Sequence, residues 1–153
     1  MQPASAHSES PLRHFVGSWR GDVTVEAVNA APHHYTQENT FAWALCGLFL
    51  EERGTGTDGS AFVGYWSLAD ATGKHRAHYF IAPSGDVVVL TQEWHEATRS
   101  FSGSAELAGG YRMRAEDHFI DADSYEWSIT VQDSAGLPVS RMHARERRIG
   151  RDR

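Results

Sequence analysis

The sequence predicts an all-β protein: one antiparallel up-and-down barrel of about ten strands behind a short N-terminal helical turn. Three observations carry this. Apolar and polar residues alternate with a period of two from Trp19 onward, as in Val23 and Val25 against Asp22, Thr24 and Glu26. Clusters with turn chemistry punctuate the chain at short intervals, among them "DATGK" at 70–74, "APSGD" at 82–86 and "DSAGLP" at 133–138. No segment keeps a helical period, and the intervals leave no room for crossover helices, so neighbouring strands pair antiparallel. Such a meander exposes its edges unless it closes, which favours a barrel over an open sheet.

Taken in order, residues 1–10 are polar and expected to be a flexible N-terminus. Pro11 suits a first-turn position, and Leu12, Phe15 and Val16 share one face of a helical turn. "HFVGSWRGDVTVEA" (14–27) opens the first strand with Gly17-Ser18-Trp19. Runs rich in Val, Thr and aromatics follow, such as "FVGYWSLA", "RAHYFIA", "VVVLTQEW" and "YEWSITVQD". Residues 11–149 make the barrel domain, and 150–153 a basic C-terminal tail.

The 153 residues, 41% of them hydrophobic, suffice for one domain with a buried core. A formal net charge of -6 speaks against a general nucleic-acid binder. The longest apolar run, "FAWALCGLFL", is far short of the ~20 residues of a membrane helix. The first twelve residues lack the basic and apolar regions of a secretory signal, so a soluble cytoplasmic protein is expected. Cys46 is the sole cysteine, which excludes an intramolecular disulfide and a Cys-based zinc site. Between Leu45 and Gly47 it reads as a small buried hydrophobe. No His-Glu-x-x-His occurs, and no resident metal is expected.

Gly17 and Trp19 at the mouth of the first strand, with an all-β meander behind them, resemble the calycin superfamily of lipocalins and fatty-acid-binding proteins. The resemblance implies that Trp19 closes the narrow end of a calycin-like barrel. It also implies that a late arginine, Arg145 or Arg147, packs over the ring as a cation–π contact. "FVGSWRG", "CGLFLEERGTG", "FVGYWSLADATGKHRAHYF" and "SFSGSAEL" resemble a bacterial family of single-domain lipocalin-like proteins of unknown function. Cys46 stands where that family commonly has glycine. A more distant resemblance is to nitrobindins, through Gly17-Ser18-Trp19-Arg20-Gly21 and a late His143. It implies haem ligated by His143, although Val23 replaces a further expected glycine.

The leading expectation is a barrel that binds one small, largely apolar or amphipathic molecule. Trp43, Trp66, Tyr79, Trp94 and Trp127 are its candidate aromatic lining, with Gln37, Asn39, Glu52, Gln92 and Gln132 as polar residues that fix orientation. In 111–120, Tyr111, Met113, Ala115 and Phe119 share one face, and Arg112, Arg114, Glu116 and His118 the other. Either the apolar face is inside, or Glu116 and His118 form an acid/base pair in the cavity of a cyclase- or isomerase-type enzyme. Asp117 is the odd residue on the apolar face and needs a hydrogen-bond partner or water. In the last strand Arg141, His143, Arg145 and Arg147 alternate with Met142, Ala144 and Glu146. Fatty-acid-binding proteins carry an inward Arg-x-Tyr here, so Arg141 and His143 are candidates for holding an anionic headgroup, or for catalysis. A protein–protein module, in its simplest form a homodimer, is a further reading.

Overall fold

Alternation with a period of two resolves into ten antiparallel strands in a computed structural model that describes residues 6–150. They are β1 (Gly17–Ala27), β2 (His33–Ala44), β3 (Phe49–Gly56), β4 (Ala61–Ser67), β5 (Lys74–Ala82), β6 (Val87–His95), β7 (Ser100–Glu106), β8 (Arg112–Asp121), β9 (Ser124–Gln132) and β10 (Pro138–Gly150). Each strand pairs with its neighbour in the chain, and β1 pairs with β10, so the sheet closes into an all-β calycin-like barrel. Closure leaves no unpaired edge. The expected loose segment over 1–10 lies partly outside the described residues; within them Ala6–Glu9 forms one helical turn, α1. Of the expected basic tail, residues 151–153 lie outside the described residues.

One end is plugged from the N-terminus. A 3₁₀ helix, Pro11–Phe15, is capped by Ser10, whose hydroxyl accepts from the Leu12 N–H at 3.3 Å. It drives Phe15 into the barrel, where the ring meets Phe41 at 4.8 Å, Phe119 at 4.9 Å and Tyr125 at 5.4 Å. Trp19 is fully buried beneath it and donates its indole N–H to the Phe15 carbonyl at 2.7 Å.

An arginine roofs Trp19, but it is Arg148 rather than Arg145 or Arg147: its guanidinium carbon lies 4.1 Å from the ring centroid. Register is the reason. Directly paired residues share a face of the sheet, and Trp19 pairs with Arg148. Arg145 and Arg147 pair with Asp22 and Arg20 and point outward. Arg148 also donates to the carbonyls of Val16, His14 and Ala122, tying plug to barrel. Gly17 has φ +127°, and a Cβ there would run into the Arg148 guanidinium, so both conformation and space call for glycine.

Cys46 also departs from expectation. It is exposed in the β2–β3 connection with φ 58°, because the tight turn lifts it out of the alternation.

Candidate functional site

The plug fills one end of the barrel and leaves a cavity of about 290 Å³ toward the other. That is near the lower end of the ~300–1,000 Å³ typical of small-molecule pockets. Strand direction grades its chemistry. Near the open end the lining is mostly apolar, with Phe62, Ile81, Val88, Met113, Val131 and Met142 beside Tyr35, Ser60 and Ser140. Deeper, toward Trp19, β2, β3, β6 and β8 contribute Gln37, Asn39, Glu52, Gln92 and Asp117.

Glycines make room for this polar floor. Asn39 pairs with Gly54, Glu52 and Tyr79 both pair with Gly64, Gln92 pairs with Gly103, and Glu146 pairs with Gly21. A Cβ on Gly21 would lie 2.7 Å from the Glu146 carboxyl, and one on Gly103 would lie 2.6 Å from Gln92 Oε1. Asn39, Gln92 and Glu146 thus reach across Gly54, Gly103 and Gly21, and the Tyr79 ring lies across Gly64.

Glu52 is buried and accepts from the Tyr79 hydroxyl at 2.5 Å and the Trp66 indole at 3.2 Å. Burial outweighs these bonds and pushes its carboxyl up to about 7. Glu146 is completely buried in the wall beside the cavity. Its Oε1 accepts from the Trp127 indole at 2.9 Å and its Oε2 has no partner. Burial raises it to about 7 as well. Asp117 rises well above the usual carboxyl range, first through burial and then through the nearby charges of Glu52, Glu116 and Glu146. The Tyr79 and Tyr125 hydroxyls are likewise held protonated by burial and by these carboxylates. Among the described residues no Lys, Arg or His lines the cavity. Uncompensated burial of carboxylates is the common cause.

Trp66, Tyr79, Gln92 and Trp127 line the cavity, as do Gln37, Asn39 and Glu52. Trp43 and Trp94 belong to the plugged end, where Trp43 meets His7 at 5.2 Å and Trp94 stacks on His14 at 5.5 Å. Glu116, His118, Arg141 and His143 do come together, but in a groove on the outer wall across β8, β9 and β10. The inward acid/base pair and the inward Arg141–His143 headgroup site are therefore corrected. On β8 the set Met113, Ala115, Phe119 faces in, and on β10 the set Met142, Ala144, Glu146 does. The His143 imidazole sits on the outside, 3.9 Å from Glu26. A haem held by it would lie in that open groove on the outer wall and not in the barrel cavity, so these residues do not fit the group. Among the described residues no cluster of three or more His, Cys, Asp or Glu is placed to hold a metal ion. Asp117, flagged as the odd residue of β8, proves to be part of the floor.

No protein-family profile matches this sequence, and no curated protein matches it either. Solved structures do. The chain is similar to Rv2717c from M. tuberculosis, with a TM-score of 0.73 and 17% identity, covering 98% of this chain and 99% of that one. It is similar to the S-type phycobiliprotein lyase CPES from Guillardia theta, with a TM-score of 0.65 and 11% identity over 99% of both chains. A protein of unknown function from the DUF3598 family of Nostoc punctiforme PCC 73102 gives a TM-score of 0.68 at 13% identity. That match covers 90% of this chain but 48% of the other, so this chain spans about half its length. Identities this low establish a shared barrel fold, and the fold hosts unrelated functions.

Proposed function

We propose that the protein binds one small, largely apolar molecule in the barrel cavity, with the molecule's polar end on the floor. One observation carries this: a cavity of about 290 Å³ survives inside a barrel that has large aromatic side chains packed solid at its other end. Packed interiors leave few voids larger than a water, so a retained space with graded polarity is suited to an occupant. Native mass spectrometry of freshly purified protein tests it. A single small-molecule adduct is expected, and Ala115→Trp, which fills the cavity from β8, should remove it. Protein that carries no adduct and takes up no added apolar fluorophore refutes the reading.

A second reading rests on Glu52, which lies on the cavity floor with its carboxyl pushed up by burial to about 7, where a general acid–base works best. Proton abstraction from 5-nitrobenzisoxazole, which opens to the nitrile phenolate, is its test. Turnover abolished by Glu52→Gln supports it, and a rate no faster than buffer refutes it.

A further inference from the structure

Hydrogen-bonding capacity at the cavity floor is unbalanced. Asn39 Oδ1 and Gln92 Oε1 belong to cavity-lining side chains that are 2% and 1% exposed, and neither oxygen has a partner. Each lies over a glycine of the adjacent strand, Gly54 or Gly103, in interior space that a Cβ would otherwise occupy. No hydrogen bond among the described residues holds the Asp117 carboxyl. Glu146 Oε2 is unpartnered in the wall beside them. Three of the local donors are engaged on carboxyls, the Tyr79 hydroxyl and Trp66 indole on Glu52 and the Trp127 indole on Glu146, and the Tyr125 hydroxyl bonds with the Asn39 side chain. Buried acceptors without donors cost free energy, and a native site usually satisfies them with a ligand or ordered water.

An anionic headgroup would bring its charge onto a floor that already crowds three buried carboxyls. A neutral alcohol brings one donor. The carboxyls do not form a metal-ligand cluster among the described residues. An organic ammonium or amidinium brings two or more N–H donors and a positive charge, and it answers both deficits.

We propose that the floor formed by Asn39, Glu52, Gln92 and Asp117 is a receptor for a protonated organic amine or amidine whose apolar remainder fills the throat between Phe62, Ile81, Met113 and Val131. This deepens the cavity-binding reading and rests on it. Binding of the cation draws Glu52 and Asp117 into their charged forms and so releases protons. The groups that face this equilibrium are Glu52, Asp117, Glu146, Tyr79 and Tyr125 in and beside the floor, Tyr35 nearer the mouth, and Glu116 and Asp22 on the outer side.

Three probes of equal length separate the possibilities: octylamine, octan-1-ol and octanoate, titrated calorimetrically into the full chain at pH 8. The cavity holds roughly ten volumes of ~30 Å³, the share of one water in the liquid, which suits these chains. Octylamine is expected to bind at least tenfold tighter than octanol, with octanoate weakest. In the double variant E52Q/D117N the amine should lose its preference over octanol measured on the same variant, and continued uptake of octanol reports an intact cavity. Amine preference should also fade as pH drops from 8 to 5.5. Octanol or octanoate binding as tightly as the amine, or an amine preference that survives E52Q/D117N, overturns the proposal while the cavity reading stands. Failure of all three probes to bind overturns both.

Discussion

Glu52→Gln should change the pH dependence of stability in a defined direction. The Glu52 carboxyl rises from its usual 4.5 to about 7 on folding. A carboxyl raised by folding contributes fully below its unfolded pKa, and its contribution is lost as pH climbs through the folded value. Each tenfold change in proton affinity is worth ~1.4 kcal/mol, so the rise corresponds to about 3 kcal/mol lost between pH 4.5 and 8. Gln keeps an acceptor for the Tyr79 hydroxyl and Trp66 indole without an ionisable proton. Urea denaturation of parent and variant at half-unit steps from pH 4.5 to 8 is the assay. The difference between the two curves is the quantity to read, because other groups titrate as well. Glu146 and Asp117 are raised and slope the same way. His14 and His75 are lowered by burial, so their contribution is lost as pH falls below 6.5. The lowered carboxyls Asp58, Asp70 and Asp121 act only below this window. E52Q should gain on the parent by about 3 kcal/mol across the range. Parallel curves, or a parent that gains on the variant as pH rises, would refute burial as the cause of the shift.

Three further outcomes are expected. Trp19→Ala should cost about 3–5 kcal/mol, and Arg148→Met about 2 kcal/mol or more through the lost ring contact and stranded carbonyls. Arg145→Ala and Arg147→Ala should stay within about 0.5 kcal/mol; thermal melts that reverse this order would undo the assignment of Arg148. Gly21→Ala places a Cβ 2.7 Å from the Glu146 carboxyl and 2.8 Å from the Arg145 carbonyl, and should lose about 1–3 kcal/mol in denaturant melts. Cys46 should react stoichiometrically with a maleimide in the native state, and protection until unfolding would contradict its exposure.

Local chemistry made the strands legible and tertiary register decided the site. Turn clusters and alternation are contiguous in sequence, so ten strands and the plugged end could be read directly. Which face of each strand turns inward is a different matter. On β10, Arg141 and His143 alternate with Met142 and Ala144, and both assignments satisfy alternation equally well. The pairing of Trp19 with Arg148 across the closing seam settles it, since one slip along β10 would exchange the two faces. Likeness to the fatty-acid-binding arginine pointed the other way, because only the spacing of Arg and partner was being matched. On β8 the apolar face did turn inward, and Asp117 travelled with it. A carboxyl on an apolar parity costs free energy unless something compensates, which made Asp117 the informative residue of that strand. Its neighbours Glu52, Gln92 and Glu146 lie on other strands, so no local spacing announced the cluster. The facing glycines were the remaining trace. Gly21, Gly54, Gly64 and Gly103 all sit on inward positions of strands, where glycine weakens pairing and packs nothing. Four such positions opposite five polar side chains amount to space reserved on the wall for polar groups. The chain thus accepts a weaker barrel wall to keep acceptors at the bottom of a mostly apolar throat, and the proposed amine is the occupant that would supply them with donors.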